Sequence, residues 1–182
     1  MKYTKEIKTT FSDVEIDALR GACKSIKERA LIEFLLSTGV RVDELSQMNR
    51  DDVDMASMKV HVLHGKGAKE RVAYINNIGR KHLVTYLQSR NDNLLPLFLN
   101  YRHERLNTNG IRSILKTIAE RANVDNVHPH RFRRTLATQL ASRGMPVQEI
   151  QRILGHSSVS TTMQYIEISD ESVKSSYIKF TA

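Results

Sequence analysis

Apolar residues near the start of the chain recur at helical spacing. In "FSDVEIDAL" the pair Ser12 and Glu15 has the spacing of a capping box, which predicts that a helix begins near Ser12. The stretch "KERALIEFLLSTG" is apolar on several faces. It therefore predicts a buried helix that ends at Gly39 in a left-handed cap.

Further along, the pattern changes to an alternation of period two. Apolar and polar residues alternate on both sides of the Gly-Lys-Gly turn in "KVHVLHGKGAKERVAYI", which predicts a β-hairpin. A short strand or extended piece is predicted at "PLFL". Helical spacing predicts the remaining segments: "RVDELSQM", "GRKHLVTYLQSR", "TNGIRSILKTIAERANV", "HRFRRTLATQLASRG", "MPVQEIQRILG", "VSTTMQYI" and "DESVKSSYIKF". The pattern therefore predicts one mainly α unit with a small β-hairpin, an α+β fold.

Composition narrows the class of protein. Hydrophobic residues make up 40% of the 182 residues and charged residues 26%, as in a globular domain. Cys23 is the only cysteine, so no disulfide can form within the chain, and we interpret it as structural. The first residues lack the apolar run of a signal peptide, and no segment is apolar over the length that spans a bilayer. These features predict a soluble, cytoplasmic protein.

Positive charge is the first indication of function. The net charge is +8, and residues 101–143 contain nine Arg or Lys against three acids, a local balance of +6. Such a patch is typical of proteins that bind a phosphate backbone, although a solvated basic face has the same composition. The charge pattern favours a nucleic-acid partner.

Two short motifs place basic residues at a helix end and at a turn. In "STGVRVDEL" Arg41 follows the predicted cap at Gly39, and Glu44 comes one helical turn later. In "HGKGAKER" Lys66 lies between two glycines at the tip of the hairpin. By itself Arg41 is also compatible with a surface residue, and Lys66 with an ordinary turn lysine.

Two further motifs add histidines and a tyrosine. In "HPHRFRRT" His130 and Arg133 have i, i+3 spacing at a helix start, where the helix dipole also favours a phosphate. In "LGHSSVSTTMQY" His156 follows a glycine, and Tyr165 comes nine residues later. A phenol becomes a useful nucleophile when cations surround the electrophile. The alternatives are that His130 only satisfies a helix end and that the last motif is a routine join between helices.

Taken together, the four motifs closely resemble the catalytic domain of the tyrosine recombinases, the phage-integrase family. The resemblance depends on their order and separations, and the motifs are "TGVRVDEL", "HGKGAKER", "HPHRFRRT" and "LGHSSVSTTMQY". The resemblance runs from about Phe11 to the C-terminus. It implies a catalytic set supported by the acid Glu44: Arg41, Lys66, His130, Arg133, His156 and the nucleophile Tyr165. One departure is visible, because Arg134 stands where many members carry a second histidine.

The chemistry that this resemblance implies is transfer of DNA strands. Arg41, Arg133 and His156 are expected to neutralise the non-bridging oxygens of a scissile phosphate in the transition state. Tyr165 is expected to attack phosphorus, which gives a 3′-phosphotyrosyl link and a free 5′-hydroxyl.

Proton transfer completes this implied mechanism. Lys66 is expected to protonate the departing 5′-oxygen, and His130 to assist proton transfer at the tyrosine. Because the covalent link conserves the phosphodiester energy, the resemblance implies that no metal, nucleotide or other cofactor is needed. The sequence agrees, since it has no Walker-type glycine loop and no carboxylate cluster with metal-ligand spacing.

The resemblance also implies a domain organisation and partners. We expect residues 1–10 to be an arm or linker remnant and residues 11–182 to be the catalytic domain, with the N-terminal core-binding domain absent. The partners implied are double-stranded DNA, further copies of the chain in a tetramer formed on DNA, and accessory DNA-bending proteins. The C-terminal segment is expected to dock in its own chain or, as the family implies, on a neighbouring protomer, and the chain is expected to associate with the nucleoid. Further basic residues expected to contact DNA are Lys69, Arg71, Arg112, Arg131 and Arg134.

Three alternatives remain. A helix–turn–helix protein without catalysis accounts for "PVQEIQRILGHSSVSTTMQYI" and the basic charge but leaves the other motifs unexplained. A type IB topoisomerase shares the constellation but relaxes supercoils without strand exchange. Within the recombinase interpretation, Tyr177 is a second candidate nucleophile, although its spacing from His156 does not match the family, and we interpret it as a packing residue.

Overall fold

The computed structural model describes residues 10–63, residues 70–155 and the single residue Ile178. Helices dominate these residues, which confirms the predicted mainly α fold. In chain order they are α1 (Asp13–Ala22), α2 (Ile26–Thr38), α3 (Val42–Gln47), α4 (Asn77–Gln88), α5 (Thr108–Ala122), α6 (Pro129–Ser142) and α7 (Val147–Leu154). A 3₁₀ turn (Arg50–Asp52) follows α3. The predicted helix "VSTTMQYI" lies outside the described residues, as does "DESVKSSYIKF" except for Ile178.

The predicted hairpin is part of a small antiparallel sheet. Its strands are β1 (Val53–Asp54), β2 (Lys59–Val62) and β3 (Arg71–Tyr74), in the order β1-β2-β3. The hairpin strands pair as predicted, whereas the two-residue strand β1 was not predicted, because two residues are too few to show an alternation. The Gly-Lys-Gly turn lies in residues 64–69, outside the described part of the chain.

Local sequence signals set the first helix boundaries as predicted. The Ser12 hydroxyl accepts from the Glu15 N–H, and the Glu15 carboxylate accepts from the Ser12 N–H at 2.8 Å, so both bonds of the capping box are present. Gly39 ends α2 with φ of +58°. A Cβ there would lie 2.9 Å from methyl carbons of both Leu136 and Leu154, so the glycine also allows α6 and α7 to pack closely against this turn.

Helix α2 is the centre of the core. It packs against α4 and α6, and buried residues therefore occur around its whole circumference, including Leu31, Phe34 and Leu35. The "PLFL" segment is an extended piece whose Leu97 and Phe98 are buried and whose Leu97 N–H donates to the Met48 carbonyl. In the described parts of the chain no helix has the length and apolarity to cross a membrane.

Helix α7 has its own small apolar cluster. Ile150 and Leu154 of α7 pack with Leu136 and Ala137 of α6, separately from the main core. Gly155 ends α7 with φ of +66°. The end of α7 is therefore held beside the turn at Gly39, and this is where the candidate site forms.

Candidate active site

Two of the predicted catalytic arginines lie together at the C-terminal end of α7. Arg133 of α6 donates from Nη1 to the Gly39 carbonyl at 2.7 Å and from Nη2 to the Leu154 carbonyl. Arg41, in the turn before α3, donates from Nη2 to the Gly155 carbonyl at 3.0 Å. The structure therefore brings together two residues from separate sequence motifs.

The two guanidiniums differ in exposure. Arg133 is only 5% exposed, and the side chain of Arg41 is 27% exposed. Arg133 contributes a fixed, desolvated positive charge, because burial removes the screening that water gives. Arg41 adds a charge that a ligand can reach from solvent.

Glu44 is the buried acid that supports Arg41. Its Oε2 accepts from the Arg41 N–H at 2.7 Å and its Oε1 from Arg41 Nη1 at 2.9 Å. The same oxygens accept from Arg71, Oε1 from Nη1 at 2.6 Å and Oε2 from Nη2 at 2.8 Å. Burial by itself raises the pKa of Glu44, but the hydrogen bonds and charges of Arg71 and Arg41 outweigh it and lower the pKa to about 2. Glu44 is therefore ionised at neutral pH.

Arg71 lies inside the protein, at the start of β3. Its side chain is 9% exposed, and Nε donates to the Ile153 carbonyl at 3.1 Å in addition to the bonds with Glu44. Sequence reasoning placed Arg71 among the residues that contact DNA. Its buried position and its pairing with Glu44 give that expectation no support.

Three guanidiniums thus bind three successive carbonyls at the end of α7. Because Gly155 ends the helix, these carbonyls have no N–H partner within the helix. They also lie at the negative end of the helix dipole, where cations are stabilising. The pairs are Arg71 with Ile153, Arg133 with Leu154, and Arg41 with Gly155. The next residue in the chain is His156.

The N-terminus of α6 carries a pair of histidines. His130 is exposed as the second residue of the helix, and His128 immediately precedes the helix. Their rings meet edge to face with centroids 6.4 Å apart. Partial desolvation lowers the pKa of His128, and the positive charge of Arg134 lowers it further. Sequence reasoning did not single out His128, although its position two residues before His130 is visible in "HPH".

The remaining candidates for DNA contact differ in position. Arg112 is exposed on α5. Arg131 is 5% exposed and donates to Glu15 at 2.7 Å and to the Asp125 carbonyl at 2.7 Å, and Arg134 is 7% exposed. Among these three, only Arg112 has a position on the surface that supports contact with DNA.

Several predicted residues lie outside the described part of the chain. Their roles stay predictions from the sequence: Lys66, Lys69, His156, Tyr165 and Tyr177. Among the residues that are described, His, Cys, Asp and Glu form no group of three or more that could hold a metal ion. Cys23 donates its thiol to the Leu19 carbonyl at 3.3 Å, and burial raises its pKa to about 11, so the thiol is protonated at neutral pH.

Glu44→Gln is expected to lower the free energy of unfolding at neutral pH. The pKa of Glu44 in the fold, about 2, lies below its ordinary value of 4.5. The carboxylate therefore contributes stability above about pH 4.5, and this contribution is lost as the pH falls towards 2. The shift corresponds to at most about 3 kcal/mol. Urea unfolding of both proteins should show a stability gap at neutral pH that narrows as the pH falls below about 5.

The control for this prediction is Glu120→Gln, which changes an exposed glutamate 3.9 Å from Lys116 on α5. This variant should remain within about 0.5 kcal/mol of the unsubstituted protein at each pH. If Glu44→Gln lowers the free energy of unfolding by the same amount at acidic and at neutral pH, the assigned ionisation of Glu44 is wrong.

Known proteins resemble this chain over most of its length. Residues 7–172 match the model of the phage integrase family. The chain is 34% identical over 181 residues to the tyrosine recombinase XerC of Staphylococcus saprophyticus subsp. saprophyticus, and the match covers 97% of this chain and 60% of that protein. The chain therefore spans about 60% of the length of this curated relative.

Solved structures share the fold. The crystal structure of XerA recombinase superposes with a TM-score of 0.81 at 28% identity, covering 100% of this chain and 66% of that one. The Tn1549 transposon integrase, in complex with a circular intermediate DNA, gives a TM-score of 0.80 at 19% identity and covers 98% and 68% of the two chains. At that identity the second likeness shows the fold alone. With the family match and the placement of Arg41 and Arg133 at one site, these similarities establish that the chain belongs to the phage integrase family.

Proposed function

We propose that this chain is the catalytic part of a site-specific DNA recombinase, which cleaves and rejoins DNA strands through a 3′-phosphotyrosyl intermediate. The observation that carries the proposal is the meeting of Arg41 and Arg133 at the end of α7. The XerC relative, 34% identical over 97% of this chain, is itself a tyrosine recombinase. The proposed catalytic domain comprises residues 11–182, preceded by an arm or linker remnant at residues 1–10.

The two arginines suit the stabilisation of a phosphate. Among the described residues, Arg41 bonds its side chain to Glu44 and Gly155. A guanidinium has five N–H donors, so the partly exposed Arg41 retains donors for phosphate oxygens. Fixed cations that surround a phosphate stabilise the charge that develops in the transition state without reorganisation. His156 is proposed to complete this set.

The covalent chemistry belongs to Tyr165. Its oxygen attacks the scissile phosphorus, a P–O bond forms to the tyrosine, and the bond to the 5′-oxygen breaks. Lys66 supplies the proton that the leaving 5′-oxygen takes up, and His130 assists proton transfer at the tyrosine. Rejoining runs the same steps in reverse with a 5′-hydroxyl as the nucleophile. The step therefore balances without a metal ion or a nucleotide.

Double-stranded DNA is the proposed substrate, and the exposed Arg112 is a candidate contact. Self-association into a tetramer on DNA is part of the proposal. A groove of about 960 Å³ between β3, α6 and α7, lined by apolar residues such as Leu140 and Met145 and by charged residues such as Arg143 and Glu149, is the proposed seat for the C-terminal segment of a neighbouring copy. Accessory DNA-bending proteins and a nucleoid location belong to the same proposal.

A suicide-substrate assay tests the function. The chain is incubated with a library of duplexes that carry randomised half-sites and a nick near the centre, in the presence of EDTA and without ATP. The expected result is a protein–DNA adduct that survives denaturing electrophoresis and leaves a free 5′-hydroxyl. Separation of the native mixture by size reports the number of protomers on each duplex.

Other outcomes favour the alternatives. DNA binding without an adduct on any selected site would indicate a DNA-binding protein without catalysis. An adduct accompanied by relaxation of supercoiled DNA, but without strand exchange between two selected sites, would indicate a topoisomerase.

A further inference from the structure

Arg71 joins three parts of the candidate site through one guanidinium. It lies at the start of β3, five residues after Lys66 in the hairpin sequence. Its terminal nitrogens bind both oxygens of Glu44, and its Nε binds the Ile153 carbonyl at the end of α7. We propose that Arg71 is a positioning residue, which holds Arg41 in place through Glu44 and holds the end of α7 in place through Ile153. This inference rests on the proposed function.

Arg71 sets the plane of the Glu44 carboxylate. A two-pronged arginine–carboxylate pair is planar, so Arg71 fixes the rotation of the carboxylate about its last bond. Oε1 then accepts from Arg41 Nη1, and Oε2 accepts from the Arg41 N–H. Without Arg71, among the described residues, the carboxylate keeps only its two bonds from Arg41, and the planar pair that fixes its rotation is lost. The direction of the Arg41 guanidinium therefore depends on Arg71, although the two arginines do not bond to each other.

Arg71 also contacts the end of α7. The outer part of the Arg71 side chain, from Cδ to Cζ, lies close to Gly155. A Cβ on Gly155 would lie 2.5 Å from Arg71 Cδ and 2.8 Å from its Nε, which is closer than real contacts allow. Gly155 thus has two reasons to be glycine, its φ of +66° and the close approach of Arg71. This contact, with the bond to Ile153, holds the point from which the chain continues to His156.

The Arg71 guanidinium is poorly placed to bind DNA. Its side chain is 9% exposed, and each of its three nitrogens donates a hydrogen bond within the fold. Both terminal nitrogens bond to the Glu44 carboxylate, which offsets the positive charge that a phosphate would meet. A loss of Arg71 should therefore change the rate of cleavage much more than the affinity for DNA.

The fold contains a matched control for this arrangement. Glu33, 2% exposed, is shared by Arg20 and Arg29 in the same way that Glu44 is shared by two arginines. Arg20 binds Glu33 through two nitrogens, at 2.7 and 3.0 Å. This network lies between α1 and α2, and the hydrogen bonds of both arginines to described residues go to these two helices. Arg20→Met therefore removes one of the two arginine partners of a buried glutamate, as Arg71→Met does, but at a distance from the candidate site.

The experiment compares Arg71→Met, Arg71→Lys and Arg20→Met in the full chain. Each variant is first checked for folding by thermal denaturation, and then assayed on the selected suicide substrate for adduct formation at saturating DNA and for DNA affinity. Arg71→Met is expected to lower the rate about 10- to 100-fold, because small displacements of catalytic groups have effects of this size. Its affinity for DNA should change less than about 3-fold, and Arg20→Met should retain the rate within about 3-fold.

The pH profile gives a second measurement that loss of stability alone does not change. Among the described residues, the charged groups that bond to Glu44 are Arg41 and Arg71. With Arg71 removed, burial raises the pKa of Glu44, and protonation then releases Arg41 as the pH falls. As the pH falls, the rate of Arg71→Met should therefore decrease more steeply than that of the unsubstituted protein. Arg71→Lys should restore the pH dependence of the unsubstituted protein at acidic pH, but not its full rate.

The outcomes separate this inference from the proposed function. If the unsubstituted chain forms no adduct, the proposed function fails. If it forms the adduct and Arg71→Met does so at the same rate, the positioning role is wrong. Equal loss of rate and affinity in Arg71→Met would make Arg71 a DNA contact instead. Full recovery of the rate in Arg71→Lys would show that charge alone is sufficient and would also overturn the positioning role.

Discussion

Tyr165→Phe is expected to abolish the covalent protein–DNA adduct and to leave DNA binding unchanged. The substitution removes one oxygen, which in the proposed mechanism is the atom that becomes bonded to phosphorus. The cations that hold the phosphate, Arg41 and Arg133, are untouched, so the affinity for DNA should change less than about 2-fold. The measurement is denaturing electrophoresis after incubation with the nicked substrate, where the adduct should fall below detection.

Tyr177→Phe is the matched control, because it removes the same oxygen from the other tyrosine near the C-terminus. This variant should form the adduct at the rate of the unsubstituted chain. If Tyr177→Phe loses the adduct and Tyr165→Phe keeps it, the nucleophile has been assigned to the wrong tyrosine. If both variants keep it, the covalent link is not made by either residue and the proposed mechanism is wrong.

Arg133→Lys is expected to lower the rate of adduct formation by about 10²- to 10³-fold, the range seen when one donor to a transition-state oxyanion is removed. Arg133 is anchored by two carbonyls from different elements, Gly39 at the end of α2 and Leu154 in α7. A single ammonium on a flexible stem cannot bind both carbonyls and also present a planar pair of donors to phosphate. The rate is measured by rapid quenching on the selected suicide substrate at saturating DNA.

Arg131→Lys provides the control for this prediction. Arg131 lies on the same helix and is equally buried, but its partners are Glu15 and the backbone around α1 and α6. Both variants should lose stability, by about 1–3 kcal/mol, because each leaves buried acceptors without a full set of donors. Only Arg133→Lys should lower the rate of adduct formation. Similar losses of rate in both variants would show that the effect comes from the folding of α6.

Elements with local signals were predictable from the sequence. The capping box at Ser12 and Glu15 uses residues three apart, and Gly39 and Gly155 each directly follow the last residues of a helix. The hairpin strands were visible from their alternation. Strand β1 was not, because its existence depends on pairing with β2 and on nothing within its own two residues.

The roles of individual arginines were less predictable. In the sequence, Arg71, Arg112 and Arg131 are equivalent, as basic residues that are all expected to contact DNA. The structure places Arg112 on the surface of α5, Arg71 against Glu44, and Arg131 against Glu15. The carboxylates that bind these two buried arginines, Glu44 and Glu15, lie 27 and 116 positions away in the chain. No local pattern therefore distinguishes a structural arginine from one that binds DNA.

The sequence by itself determined the family and the positions of the candidate residues, because the four motifs and their order are local features. Only the tertiary structure decided that Arg71, Arg133 and Arg41 share the last carbonyls of α7. These contacts join residues 82, 21 and 114 positions apart, respectively. They form because α6 and α7 pack against the turn at Gly39 and carry the helix end to the arginines. Such contacts depend on how the helices pack, which a linear pattern of hydrophobic and polar residues does not specify.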